Sequence, residues 1–339
     1  MLLYVLIGLG AGGASSLLYV AAGTGSLLGF VAPLPLMIAG LGWRSLASTI
    51  GAVFGTAIAA AYAGLWGGVG YALAAAVPAV WLSARALLAR PRGPGDPADI
   101  EWYPVGRLLL WAGILSAVLV FVTLLTSFGE AGFERRVAAL FAEALRQHGM
   151  TEAEARPVAL WLARIAPPVS AVLWMLTLLF NFWAAGRIVR ASGRSQRPWP
   201  DLAGVSLPPV AVPGLAAAVA ALFVPGLVRA AGSVAAAVLT TAFMLAGLAV
   251  IHAVTRGRAA RPVMLGALYT GLVLLPWTGF VLALVGLAEP ALKLRRRRNR
   301  PVPNGPNPSP GSHPPPGSHS PRGSHPSQGS DPWRGPRDS

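Results

Sequence analysis

Apolar residues run along this chain in blocks of bilayer length, separated by short polar breaks. A spanning helix needs roughly 20 mostly apolar residues. Residues 2–22, 26–42, 46–64, 65–88, 105–128, 168–189, 210–229 and 232–254 supply eight such blocks, which predicts an all-α, polytopic transmembrane helical bundle. Pro33 and Pro35 interrupt the second block. Each lacks an N–H and its ring clashes with the preceding turn, so that helix should be kinked or partly unwound. Small residues recur at helical spacing at Gly8, Gly12 and Ser15, and again at Gly51, Gly55, Gly64 and Gly68; such positions let helix backbones approach closely.

The last apolar stretch, residues 263–288, is open to two readings. Roughly 26 residues cross a bilayer once with tilt, yet the middle reads Leu275-Pro276-Trp277-Thr278-Gly279, turn chemistry that would make a re-entrant hairpin. Two further segments break the pattern. Residues 91–104 open with Pro91-Arg92-Gly93-Pro94-Gly95-Asp96-Pro97 and form a loop between an N-terminal half, residues 1–90, and a C-terminal half, residues 105–290. Within the second half, residues 130–164 place Val137, Leu140, Phe141 and Leu145 among Glu134, Arg135, Arg136, Glu143 and Arg146. Apolar spacings of three and four predict an amphipathic helix or helical pair that lies at the interface and does not span.

Over residues 291–339 a basic run, Arg295, Arg296, Arg297 and Arg298, gives way to proline, glycine and serine. That composition buries too little apolar area to offset ordering, so the tail should be disordered, with the arginines against anionic lipid headgroups. Three Gly-Ser-His units end at His313, His319 and His325; a solvated low-complexity tail is expected there ahead of weak metal binding.

Composition agrees with a bilayer as solvent. Of 339 residues 54% are hydrophobic and 12% charged, with a net charge of +15 and a mean hydropathy of +0.59, against about a quarter charged in soluble domains. The positive charge sits in short loops and the tail, as cytoplasmic segments require, so no nucleic acid is needed to explain it. Counting basic residues places the N-terminus and the loops at Arg44, Arg90, Arg194 and Arg258 in the cytoplasm of a bacterial inner membrane, and residues 130–164 outside. Lys293 is the only lysine, so arginine at any one site reflects coding bias more than chemistry. Cysteine is absent, which excludes disulfides, thiolate metal sites and cysteine nucleophiles.

Every Asp and Glu falls in a loop, the tail or a span end. Intramembrane carboxylates commonly mark ion paths, so their absence counts against a proton or sodium pump. No phosphate-binding loop, His-Glu-x-x-His helix or Gly-x-Ser-x-Gly elbow occurs; no enzyme, cofactor or metal is expected. His252 lies one turn from Arg256 and reads as an interfacial side chain rather than a general base. The sixth block carries the richest polar stripe, Trp174, Thr177 and Asn181. An amide in hydrocarbon must find a partner. A helix-to-helix bond is the plain reading for it and a ligand contact the sharper one. Tyr269 and Trp277 would join such a ligand site if the last stretch is re-entrant, and are otherwise interfacial belt aromatics.

Four phrases, Glu101-Trp102-Tyr103-Pro104 with Gly106-Arg107, Gly186-Arg187-Ile188-Val189-Arg190, Arg197-Pro198-Trp199-Pro200-Asp201 and Leu265-Gly266-Ala267-Leu268-Tyr269, together resemble the YybS-like family of uncharacterised bacterial membrane proteins. The resemblance covers roughly residues 1 to 290; it implies a membrane location and no activity. The first six blocks are also similar to the substrate-binding membrane subunits of energy-coupling-factor vitamin transporters, whose small-x-x-x-small first span is matched by Gly8 and Gly12 or by Gly10 and Ala14. That fold-level analogy implies a bundle that binds a small molecule without buried carboxylates, although this chain adds C-terminal spans and residues 130–164. Two functions are therefore expected. One is a small-molecule or lipid-binding component of an uptake system; the other is a non-enzymatic scaffold that binds other membrane proteins.

Overall fold

The computed structural model describes residues 1–23, 27–92, 100–126, 129–275 and 277–292. The basic run at Arg295, Arg296, Arg297 and Arg298 and the histidines of the tail lie outside the described residues, as does Pro276. Among the described residues, five helices are long and apolar enough to cross a membrane: Leu2–Ala22, Ser45–Ala86, Val105–Thr126, Glu152–Ala191 and Leu227–Thr255. Shorter apolar helices fill in around them. The chain is thus a mostly helical membrane protein.

The N-terminal half comprises α1 (Leu2–Ala22), α2 (Pro33–Trp43), α3 (Ser45–Tyr71) and α4 (Val77–Ala86). Ser45–Ala86 counts 42 residues but reverses at Gly64, whose φ of +74° is one that side chains rarely adopt. Past that turn Gly68 lies against Ala60, and the Tyr71 ring reaches Gly55. The third and fourth apolar blocks are therefore the two arms of one helical hairpin. Close backbone approach holds α1 to the first arm. A Cβ on Gly8 would stand 2.7 Å from the Ala47 carbonyl oxygen, and one on Gly55 would stand 2.8 Å from that of Gly12. The Gly8 and Gly12 stripe is consumed inside the chain, while Gly10 and Ala14 remain exposed. In the second block the unwinding falls ahead of Pro33, in a short 3-10 turn at Leu27–Val31. Pro33 itself sits in the first turn of α2, where no N–H is needed. Ser15 Oγ caps that break by donating to the Ala32 carbonyl (2.6 Å) and accepting from Tyr71 Oη (2.8 Å).

The second half holds α5 (Val105–Thr126), α6 (Gly129–Gln147) and α7 (Glu152–Ala191). α7 runs unbroken for 40 residues, through Pro157, Pro167 and Pro168. At about 1.5 Å per residue it is about 60 Å long, twice the hydrocarbon core of roughly 30 Å. The helical pair expected over residues 130–164 is α6 with the first half of α7, an antiparallel hairpin whose second arm continues without a break into an apolar segment. Ala138 packs on Ala159 and Ala163, Glu134 pairs with Arg164 at 3.8 Å, and Thr151 with Glu154 makes a reciprocal capping box at the start of α7.

Residues 210–229 also differ from the expected span. Ahead of the helix that starts at Leu227, only α8 (Ala211–Ala221) is helical there, 11 residues or about 16 Å, too short to cross. Ahead of it residues 205–210 are non-helical, because Pro208 and Pro209 cannot donate to a helix. This segment passes so close to α5 that a Cβ on Gly106 would overlap the Ser206 carbonyl. Irregular backbone at membrane depth persists only against protein or a cavity. α9 (Leu227–Thr255) follows after a turn at Gly226 with φ +75°. The last apolar stretch divides into α10 (Arg261–Leu274) and α11 (Thr278–Leu292). α11 runs antiparallel along α9, with Gly247 against Leu282 and Gly286 against Phe243. α10 stays beside the last turns of α9, where Tyr269 Oη lies 3.3 Å from His252 Nε2. The stretch breaks between Leu274 and Thr278, where the turn chemistry lies, into two short helices of 14 and 15 residues.

Candidate functional site

Short connections gather the ends of α2, α4, α5, α7 and α9 at one end of the bundle. Arginines crowd it, several of them held by an aromatic ring or a carboxylate. Arg194 stacks over Trp43 at 4.7 Å and Arg197 over Trp102 at 5.9 Å. Arg90 pairs with Glu101 at 2.7 Å across the two-stranded ribbon of β1 (Ala89–Pro91) and β2 (Ile100–Trp102).

Inside this basic end lies a cavity of about 830 Å³, within the roughly 300–1,000 Å³ range of small-molecule sites. Its walls are apolar: Leu108 and Leu109 from α5, Leu179, Phe182 and Val189 from α7, Leu245 and Leu248 from α9. Along α7 the lining runs from Val189 to Leu179, and along α9 from Arg256 to Leu245. Both stretches span about 15 Å of helix, the depth of one leaflet of the hydrocarbon core. The mouth is polar. Arg197, Asp201, His252, Arg256 and Arg261 line it, three guanidiniums against one carboxylate.

Residues 195–205 cross the cavity as a strap, and its local chemistry explains why it is neither helix nor free loop. Pro198 and Pro200 exclude a helix, and three side-chain bonds tie the strap down. Gln196 Nε2 donates to the Leu41 carbonyl (3.2 Å), Arg197 Nη1 to the Ala86 carbonyl (3.0 Å) and Arg256 Nη2 to Asp201 Oδ1 (2.9 Å). Asp201 also accepts from the Ala203 backbone at 3.2 Å and so starts a short turn. The Trp199 ring lies on Gly186, where a Cβ would touch it at 3.4 Å, with Arg187 and Arg190 each 5.7 Å from its centre.

Arg197 is the informative charge. It is half-buried, desolvation pulls its pKa below the usual arginine value, and among the described residues no carboxylate pairs with it. Its contacts are a carbonyl and an indole. A guanidinium taken out of water without a counter-charge is costly. An anion at the cavity mouth would compensate it. Arg256, by contrast, is exposed, and its hydrogen bond to Asp201 raises its pKa.

The residues singled out in the sequence are placed elsewhere. Asn181 is buried and donates to the Phe30 carbonyl of the preceding half and to the Thr177 carbonyl, both at 2.8 Å. Trp174 Nε1 donates to the Ala74 carbonyl at 3.2 Å. The bonds to Phe30 and Ala74 tie α7 to the N-terminal half, the bond to Thr177 stays within α7, and Trp174, Thr177 and Asn181 do not line the cavity. Tyr269 touches it only through His252, and Trp277 is exposed. Sequence reasoning passed over Arg197, Trp199, Leu245 and His252 as site residues. One local signal was available, since a tryptophan between two prolines and flanked by an arginine and an aspartate, Arg197-Pro198-Trp199-Pro200-Asp201, is poor helix and poor linker alike. No family model, curated protein or solved structure matches the chain.

Proposed function

We propose that this chain is a membrane-embedded binding protein that holds one amphiphilic molecule, its apolar part in the cavity and an anionic head at the strap. The observation that carries this reading is Arg197, a half-buried and carboxylate-free cation at the mouth of an apolar cavity one leaflet deep. Positive-inside bias then puts the basic end, and with it the N-terminus, on the cytoplasmic side of a bacterial inner membrane. The ligand is drawn from the cytoplasmic leaflet or delivered to it. All four phrases that resemble the YybS-like family adjoin this end: Val105 follows the first, Gly186 and Val189 line the cavity, Arg197 and Trp199 form its strap, and Tyr269 touches His252.

A binding protein of this kind suits an uptake system. The hairpin of α6 and α7 supports a scaffold role beside it, since Leu140 and Trp161 are exposed there by 72% and 60%. The test is native mass spectrometry of the full chain released from a gentle detergent. The expected result is a one-to-one adduct carrying a phosphate or carboxylate, lost in Leu245→Trp at an unchanged thermal midpoint. Neutral adducts alone, or an anionic adduct that survives Leu245→Trp, would remove the cavity reading.

A further inference from the structure

On the neighbouring face of α4 and α5, away from the cavity lining, a second arrangement stands apart. Arg85 lies in the last turn of α4, its guanidinium 4.3 Å from the centre of the Trp81 ring and 5.8 Å from that of Trp111. The two indoles meet edge to face at 4.8 Å. Trp111 Nε1 donates to Tyr103 Oη at 3.1 Å, and Arg107 sits 5.9 Å from the Tyr103 ring.

What this cluster lacks is an acceptor. Among the described residues Arg85 has no carboxylate or carbonyl partner, whereas the Arg107 charge acts on Glu101. Trp81 Nε1 is buried and makes no hydrogen bond. Tyr103 Oη already accepts from Trp111, so its own proton is left to donate. Stacking on an indole holds a guanidinium in one plane and leaves its edge N–H groups free to form a fork. A set of donors around the unpaired Arg85 guanidinium, with no acceptor among them, selects an anion that accepts, and a phosphate diester matches that fork with two oxygens. Indoles and a phenol around it are side chains suited to the headgroup layer.

We infer that Trp81, Arg85, Tyr103 and Trp111 form a headgroup site for an anionic phospholipid at the outer seam of α4 and α5. The site is separate from the cavity and does not rest on the function proposed for it. Arg85 binds the phosphate, and Trp81 is the positioning residue that fixes its plane. Arginine is abundant in this chain, so the identity of residue 85 says little by itself. The inference rests on the stack and the missing acceptor.

The experiment uses the full chain carrying Leu245→Trp, which fills the cavity and removes its ligand from the count. Native mass spectrometry titrates phosphatidylglycerol and, separately, phosphatidylcholine of the same acyl chains. A third arm adds inorganic phosphate to the phosphatidylglycerol titration. The expected result is one saturable phosphatidylglycerol event, weakened about tenfold by Arg85→Gln, which corresponds to about 1.4 kcal/mol. Arg85→Lys keeps the charge but loses the planar fork, so it should weaken binding at least about threefold. Phosphatidylcholine should show no such event, and millimolar inorganic phosphate should not compete. Thermal midpoints of both variants verify folding, and the lysine variant keeps the test open if the glutamine variant fails to fold. Lipid affinity as high in Arg85→Lys as in the parent would overturn the site in favour of diffuse surface charge. Displacement by inorganic phosphate would overturn the lipid assignment in favour of a free anion.

Discussion

Replacing Gly106 by alanine adds one carbon where α5 meets the backbone just past the strap. The new Cβ would overlap the Ser206 carbonyl oxygen and stand 2.7 Å from its carbon and 3.3 Å from Leu207 N. Ordinary contact between carbon atoms begins at about 3.5 Å, so the backbone beyond the strap has to retreat by roughly 1 Å. Gly106 is buried on the first turn of α5 whereas Ser206 is exposed, so the strap side yields. Overpacking of this kind costs about 1–3 kcal/mol, which shifts the closed strap toward opening by about five- to a hundredfold. The natural absence of cysteine allows a direct assay, in which Val205→Cys on the cavity wall is labelled by a maleimide from the cytoplasmic side. In Gly106→Ala its labelling rate should rise about tenfold, and the thermal midpoint should fall. Gly266→Ala, where nothing lies within 4 Å of the added carbon, should change neither. Unchanged labelling of Val205→Cys with an unchanged midpoint in Gly106→Ala would refute the close contact and the strap with it.

Three further perturbations test other parts of the fold. Gly247→Leu places a side chain against the Leu282 carbonyl and the backbone of Gly286, so α11 should leave α9; a disulfide between cysteines introduced at Gly247 and Gly286 in the parent background would report the native contact, and proteolysis within α11 the loss. Asn181→Leu removes the bond to the Phe30 carbonyl and should cost about 1 kcal/mol of stability while leaving any bound amphiphile in place; loss of the ligand at full stability would return Asn181 to the binding site. The Thr151 hydroxyl, and then its backbone N–H, hold the Glu154 carboxyl below its ordinary value of 4.5. A depressed folded-state pKa contributes stability above the unfolded value and loses it as pH falls through the folded one, so protection against hydrogen exchange at the start of α7, relative to the intrinsic rate, should fall as pH drops below the ordinary value of 4.5. Thr151→Ala should abolish that pH dependence and cost about 1 kcal/mol, and an unchanged pH profile would show that the capping box does not form.

Much of the architecture was legible because bilayer physics leaves few options. Apolar length and the glycines of α1 and α3 marked the helices that pack, whereas Gly64, read as a packing position at the junction of two blocks, is the turn between two arms. Proline chemistry was legible in kind and misplaced in consequence. Pro33 starts a helix instead of bending one, and Pro167 with Pro168 interrupts nothing in α7. A proline's missing N–H costs nothing in a first turn, and in a long helix neighbouring elements can re-satisfy the freed carbonyls. Pro208 and Pro209 do break a crossing, and the sequence alone did not rank them above the others. Asn181 drew attention as a lone amide in an apolar run, yet its partner, the Phe30 carbonyl, exists only because the turn at Leu27–Val31 frees it, 151 residues away in the chain. The cavity was hidden for the same reason. Its walls are ordinary leucines on α5, α7 and α9, and only tertiary packing leaves space among them. Arg197 looked like one of many loop arginines until the structure drew it half out of water without a carboxylate.

The most direct test of the amphiphile site is photocrosslinking with a benzophenone amino acid placed at Leu248, inside the cavity, and at Phe180, an exposed position on α7. Both full-length variants are reconstituted with a radiolabelled long-chain phosphate monoester at low density in phosphatidylcholine. A cavity that holds an anionic amphiphile predicts saturable labelling at Leu248, competed by the unlabelled monoester and not by the matching alcohol, with weak and non-saturable labelling at Phe180. Equal labelling at the two positions, or competition by the alcohol as strong as by the phosphate, would contradict the account.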